Sequence, residues 1–213
     1  MYKVMALRVF KFEESLLEWG GEEYSTLVTG IRGGSIEAAP TQDGWSVRVD
    51  QLVIDSGNET IEADFVGKVT NAGDAVVSIV KPVQINPFLM LLPLFMDDTS
   101  EEEIRALNPT GQLATLELQF RNRRPELTAK ILDLSWEQAG KTPGLTSLDA
   151  DIYWYKESGA VYLKSENSTL SADNIIKQNL DINAFNANLY FHTLAVGDEK
   201  QWVMTGKELV FDS

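Results

Sequence analysis

Residues 185–192 read FNANLYFH, and this stretch shows the pattern that decides the fold. Apolar residues occupy every second position, at Phe185, Ala187, Leu189 and Phe191, and polar or amphipathic residues lie between them. Successive side chains of an extended strand point to opposite faces, so this spacing predicts a strand with one apolar and one polar face. Such strands are typical of antiparallel sheets in which one face is buried and the other is solvated.

The same alternation recurs in three other stretches of the chain. Turn-forming residues such as Asp43-Gly44 and residues 71–74 separate these stretches. The spacing of strands and turns predicts roughly a dozen short-looped strands. The apolar rows of the three stretches are Val47 and Val49, then Ile61, Ala63 and Phe65, then Leu116, Leu118 and Phe120.

Residues 86–107 break this alternation and predict one or two short helices. Residues 86–96 read NPFLMLLPLFM, with Asn86 as a candidate N-cap and Pro87 at the first helical position. A helix that is apolar on all sides must be covered by protein or lipid. Residues 97–107, DDTSEEEIRAL, predict a second helix with acidic residues in its first turn.

The number of strands limits how the sheet is arranged. A dozen strands about 4.8 Å apart make a layer about 60 Å wide, and twisted open sheets of more than about ten strands curl, split or close. Two short helices cannot cover such a layer, so its apolar face meets a second sheet, its own curled continuation or a hydrophobic ligand. The expected fold is mainly β: a strongly curved antiparallel sheet, groove-like or taco-like, with one or two short helices around residues 86–107.

Two segments at opposite ends of the chain resemble each other. Residues 45–55 read WSVRVDQLVID and residues 202–212 read WVMTGKELVFD, with the Trp, an apolar pair and the final Asp at identical spacing. This similarity is interpreted as a strand, a tight turn and a second strand used twice, or as chance. A true repeat would favour an architecture that extends along one direction.

Charge and composition exclude several classes of partner and chemistry. The 213 residues carry a net charge of −14 and no cysteine, so nucleic-acid binding, disulfides and thiolate metal sites are not expected. The one dense basic run, Arg121, Arg123 and Arg124, is interpreted as a solvated turn between strands rather than an anion site. The longest apolar run, residues 87–96, is shorter than the roughly twenty residues of a membrane-spanning helix.

Catalytic patterns are weak. His192 is the only histidine and alternates onto the polar face of its strand, so it reads as a surface residue rather than a base. The sequence has no Gly-x-Ser-x-Gly motif. Asp97 and Asp98 are adjacent acids that suit a helix start better than glycan hydrolysis or Ca²⁺ binding. We therefore expect no enzymatic activity, no cofactor and no metal.

The order of motifs along the chain carries a family resemblance. NPTG at residues 108–111 leads into a strand, LDLSW follows at residues 132–136, PGL at residues 143–145 precedes Leu148, and the chain closes on residues 202–211. With the segment 87–95 and the acidic helix, this order resembles the central region of the YhdP family of AsmA-like proteins, including its domain of unknown function.

The resemblance implies an envelope role. Members of the family are large Gram-negative envelope proteins that are tethered to the inner membrane, extend through the periplasm and are regarded as phospholipid conduits with long β-grooves. By this resemblance, residues 1–213 form a single groove segment of a larger protein, with possible sub-halves 1–110 and 111–213. The implied partners are phospholipid or another acyl lipid, the remaining segments of the parent protein, and the inner membrane through an anchor absent from this chain.

Three functions remain open from the sequence. The leading hypothesis is a non-enzymatic periplasmic groove segment that carries acyl chains between the inner and outer membranes. The alternatives are a protein-binding or scaffolding β-sandwich of the envelope with a closed core, and a carboxylate-dependent enzyme acting on glycans. Under the leading hypothesis, the candidate lipid-facing residues are Val47, Val49, Ile61, Ala63, Phe65, Leu116, Leu118, Phe120, Phe185, Ala187, Leu189 and Phe191.

Overall fold

The computed structural model describes residues 8–11, 14–21, 24–56, 59–94, 98–122, 124–172, 179–196 and 199–212. In these residues, fourteen strands form one sheet in which all paired neighbours are antiparallel. A 3₁₀ helix, Asn86–Leu94, and one α-helix, α1 (Asp98–Ala106), lie between β8 and β9. The strands are β1 (Arg8–Lys11), β2 (Glu14–Gly21), β3 (Tyr24–Arg32), β4 (Ser35–Pro40), β5 (Gly44–Ser56), β6 (Glu59–Thr70), β7 (Ala75–Ile79), β8 (Val83–Gln84), β9 (Thr110–Arg121), β10 (Arg124–Trp136), β11 (Gly144–Tyr155), β12 (Ser158–Ser171), β13 (Leu180–Val196) and β14 (Glu199–Asp212).

The sheet is a simple meander. The path through it runs β1-β4-β5-β6-β7-β9-β10-β11-β12-β13-β14, and β3 and β8 pair with β5 and β9 beyond the ends of β4 and β7. Consecutive strands β3 and β4 therefore lie end to end in one row of the sheet, and so do β7 and β8, and β1 and β2. The fourteen strands occupy eleven rows. Within the described residues, the first and last rows do not pair, so the sheet is open. This confirms the predicted mainly β class with short helical elements between residues 86 and 107.

The turns separate the two ends of the strands. Turns at residues 70–74, 121–124 and 155–158 lie together at one end, which we call the hairpin end. The 3₁₀ helix, α1 and the connection between β10 and β11 lie at the other end, which we call the helix end. Short hydrogen-bonded turns hold neighbouring strands in register.

Bulges cross the sheet in a line. Five non-glycine residues inside strands adopt the left-handed conformation, with φ between 52° and 56°. They lie at or beside shifts in strand register. A β-bulge bends its strand and increases the local twist, so this line accounts for curvature of the sheet. The five residues are Gln51, Asp133, Ser147, Asn167 and Glu208.

Side chains of neighbouring strands stabilise three of these bulges. The backbone N–H of Gln51 donates to Asp64 Oδ1 at 2.7 Å, and the N–H of Asp133 donates to Asp149 Oδ1 at 3.0 Å. The N–H of Ser147 donates to Ser135 Oγ at 2.9 Å. A bulge leaves backbone groups outside the regular ladder, and a hydrogen bond to such a group contributes about 1 kcal/mol. These acceptors therefore favour the bulge at one position along each strand.

The two similar segments are not hairpins, so that prediction is wrong. Each is one continuous strand, β5 and β14. The predicted tight turn is a bulge at the seventh residue of both segments, Gln51 with φ 54° and Glu208 with φ 53°. An extra residue shifts the alternation by one, and in the sequence this shift resembles the end of one strand and the start of another.

The 3₁₀ helix covers part of the sheet at the helix end. Met90 is 1% exposed and packs on Ile61 and Ala63 of β6, with Phe88 beside them. The predicted helix is present over Asn86–Leu94 and has 3₁₀ geometry, and residues 95 and 96 of the prediction lie outside the described residues. Proline lacks a backbone N–H, and Pro87 and Pro93 limit the hydrogen bonds of a longer α-helix.

Arg105 of α1 connects the helical elements to the sheet. Its Nη1 lies 2.8 Å from Glu59 Oε1 at the start of β6, and its Nε lies 2.7 Å from Glu101 Oε1. Its Nη2 donates to the carbonyl oxygen of Leu89 at 3.0 Å. The hydrogen bond with Glu59, followed by that with Glu101, raises the pKa of Arg105 above its ordinary value. One guanidinium therefore joins α1, the 3₁₀ helix and β6.

We expect Asp149→Ala to lower the free energy of unfolding by about 1 kcal/mol, because it removes the acceptor for the Asp133 amide. Asp149→Asn keeps an acceptor oxygen and is expected to recover most of this loss. Asp151→Ala is the control: Asp151 lies two residues along the same strand and pairs with Lys130 at 3.9 Å, a surface contact worth about 0–1 kcal/mol. Urea denaturation measures all three, and equal losses in the two alanine variants would contradict the role of Asp149.

The stability contributed by Asp64 should depend on pH. The hydrogen bond from the Lys81 ammonium group, then that from the Gln51 amide, lowers the pKa of Asp64 below its ordinary value of 3.8. A lowered carboxyl pKa stabilises the fold above the unfolded-state pKa, and this contribution is lost as the pH falls through the folded-state pKa. Urea denaturation should show a free energy of unfolding that is higher for wild type than for Asp64→Asn. The difference should be constant above about pH 5 and should shrink below about pH 4.

Candidate functional site

Strand register places the apolar rows of the sequence on one side of the sheet. Val47 pairs with Gly67, which pairs with Val77, which pairs with Leu118. Directly paired residues share a face, so the rows of β5, β6 and β9 all point the same way. We call this side the apolar face.

The apolar face continues through the second half of the chain. Leu116 pairs with Ala129, then Ile152, Val161 and Leu189 in successive strands. All twelve candidates named from the sequence therefore lie on the apolar face. The register establishes their shared side, and their contact with lipid stays a prediction.

The apolar face is open at the hairpin end. Large apolar side chains on it are strongly exposed there: Trp45 is 44% exposed, Phe120 38%, Trp202 57% and Met204 69%. The surface area of the chain is 14499 Å², against about 9,800 Å² for a compact monomer of this mass. A layer without a second layer over it exposes more surface than a compact fold does.

The twelve candidates differ in accessibility. Ile61 and Ala63 are 3% and 6% exposed beneath Met90, so a ligand reaches them only if the 3₁₀ helix moves. Ala187 is 2% exposed, as expected for a small side chain between larger ones. Phe120 is exposed, and the other eight are half-buried.

An aromatic cluster on the apolar face was not among the predicted residues, except for Phe191. The ring of Trp154 lies 5.4 Å from that of Phe191 and 5.2 Å from that of Trp202. Gly159 lies between Trp154 and Phe191 in the register. A Cβ atom there would lie 2.5 Å from Phe191 Cε2, so glycine is required for these rings to meet. The sequence signal that could have identified this cluster is the position of Trp154, two residues after Ile152 and therefore on the same face of the strand.

The opposite side of the sheet is polar. Ion pairs lie along it, with 2.8 Å between Arg48 Nε and Asp50 Oδ1 and 2.7 Å between Lys164 Nζ and Glu166 Oε1. The rings of Tyr153 and Tyr190 each meet that of Tyr162 edge to face, at 5.8 and 6.2 Å. One face of the sheet is therefore suited to water and the other to hydrocarbon.

The structure places two of the residues that the sequence raises as candidates for catalysis. His192 is exposed on the polar face, as its position in the alternation predicts. Asp98 begins α1, and Asp97 lies outside the described residues. No described helix is long and apolar enough to cross a membrane.

The chain matches one known protein family. The YhdP protein family matches residues 8–213, which include every strand of the sheet and both helices. No curated protein matches the chain, and no solved structure matches it. The family match agrees with the order of motifs in the sequence, from the acidic helix to the closing strand. This chain belongs to the YhdP family.

Proposed function

We propose that this chain is a non-enzymatic segment of a periplasmic β-groove that carries phospholipid acyl chains between the inner and outer membranes. In the full-length protein, the groove is tethered to the inner membrane, and neighbouring segments extend it. One observation carries the proposal: an apolar face runs across the sheet and is uncovered at the hairpin end. Membership of the YhdP family supports an envelope role related to lipid transport.

The energetics suit an acyl ligand. A phospholipid with about thirty methylene groups loses about 24 kcal/mol of favourable burial if both chains enter water, at about 0.8 kcal/mol per group. The half-buried Val, Leu, Ile and Phe side chains of the apolar face replace part of the bilayer hydrocarbon. Such contacts are non-directional, so a lipid can move along the face without breaking specific hydrogen bonds.

The dimensions of the face also suit a lipid. The eleven rows span about 50 Å across the sheet at about 4.8 Å each. The 17 residues of β13 span about 56 Å along the strand. Exposed apolar patches larger than a few hundred Å² mark interaction sites, so an uncovered apolar region on a sheet of these dimensions supports a ligand-binding role.

The closed-core scaffolding module is the rival. It requires the apolar face to be packed against protein, whereas Trp45, Trp202 and Met204 expose 44% to 69% of their surface. Native mass spectrometry of the purified wild-type chain separates the two functions. Copurified phospholipid is the expected result, and a chain without bound lipid that also fails to take up added lipid would overturn the groove.

Phe120→Asp is expected to reduce bound phospholipid by about tenfold or more, because it places a carboxylate where an acyl chain would lie. Val66→Asp is the matched control: Val66 has the same 38% exposure as Phe120 but lies on the polar face. Both positions are exposed, so both variants should remain folded by circular dichroism. Equal lipid retention by the two folded variants would contradict the assignment of the apolar face.

A further inference from the structure

A cluster of positive charge stands out in this acidic protein. Arg121, Arg124 and Lys156 line one cavity of about 270 Å³ at the hairpin end, together with Asn122, Glu126 and Tyr155. The chain as a whole has a net charge of −14. The sequence alone predicts a solvated turn for the run Arg121, Arg123 and Arg124. The structure adds Lys156 from the next hairpin, so the cluster is more than one turn.

The register brings these cations together. Arg121 pairs directly with Arg124 across the turn between β9 and β10. Glu126 pairs with Tyr155, which places Lys156 and the turn between β11 and β12 beside the arginines. Within the described residues, no carboxylate forms an ion pair with Arg121 or Arg124. Like charges directly opposite each other destabilise a sheet, so an anion between them would relieve a cost.

The two arginines lie on the polar face, directly behind the open part of the apolar face. Phe120 pairs with Pro125 on the apolar face. One position closer to the turn, Arg121 pairs with Arg124 on the polar face. Phe120 is 38% exposed. An amphiphile at this edge can therefore lay its chains on one side of the sheet while its charged group reaches the other.

We propose that Arg121, Arg124 and Lys156 form a binding site for a phosphate group, supplied by the headgroup of a lipid whose acyl chains lie on the apolar face. The site rests on the proposed function, because the lipid must already occupy that face. Guanidinium groups match phosphate geometry because they donate paired parallel hydrogen bonds, and lysine adds a point charge. The same chemistry would accept free inorganic phosphate, which the experiment distinguishes.

The experiment compares two lipids that carry the same acyl chains, phosphatidylglycerol and diacylglycerol. Their binding to the whole chain is measured by native mass spectrometry and by competition with a fluorescent lipid. The variant is Arg121→Gln with Arg124→Gln. The control is Lys130→Gln with Lys164→Gln, which makes the same change in net charge on the polar face outside the cavity. A third arm titrates inorganic phosphate alone and follows the backbone amides of residues 121–124 by NMR.

Wild type should prefer phosphatidylglycerol over diacylglycerol by about tenfold or more, since each basic group near a lipid phosphate contributes about fivefold. The arginine variant should lose this preference and keep its diacylglycerol affinity, and the lysine control should keep both. If inorganic phosphate changes the NMR chemical shifts of these amides in wild type and leaves them unchanged in the arginine variant, that result would support the site, with free phosphate as a second ligand.

Two outcomes would overturn the inference. One is an unchanged preference in the arginine variant, and the other is an equal loss in the arginine variant and the lysine control, which would make net charge the cause. Failure of wild type to bind either lipid would instead overturn the groove, because diacylglycerol needs only the apolar face.

Discussion

The structure depends on one constraint: the rows from β5 to β14 share an apolar side, and in the described part of the chain the 3₁₀ helix is the element that packs over it. The 3₁₀ helix covers β6 near Ile61 and Ala63, where Met90 is 1% exposed. Elsewhere the main contacts run between adjacent strands of the same layer. Backbone pairing between adjacent strands therefore carries much of the order in this fold, and an uncovered apolar surface remains available for binding.

The line of bulges accounts for the curvature of this layer, and a second layer is not needed to bend it. Each bulge combines a left-handed polar residue with a register shift, and three of them receive a side-chain acceptor from the next strand. The curvature is therefore encoded by ordinary polar residues such as Gln51, Asp133 and Ser147. The same bulges keep the apolar residues on one side: Ile131 and Leu134 both face the apolar side, although three positions separate them.

Local alternation predicted much of the candidate site. It identified Phe65, Leu118 and Leu189 as members of apolar rows, because a strand directs every second side chain the same way. It failed where an extra residue enters a strand. In residues 132–136, simple alternation groups Leu132 with Leu134, whereas the bulge at Asp133 places Leu134 opposite Leu148 on the apolar face and Leu132 opposite Gln112 on the other. Bulges follow from contacts between strands, which the sequence of one strand does not contain.

The sequence by itself determined the mainly β class, the alternating rows and the helical interruption at residues 86–107, because these depend on neighbours along the chain. The order of its motifs also pointed to the YhdP family. Only the tertiary structure decided that the separate rows share one face, that Met90 covers Ile61 and that Lys156 joins Arg121 and Arg124. Strand pairing sets these relationships between residues far apart in the chain, and a one-residue change of register would reverse the faces.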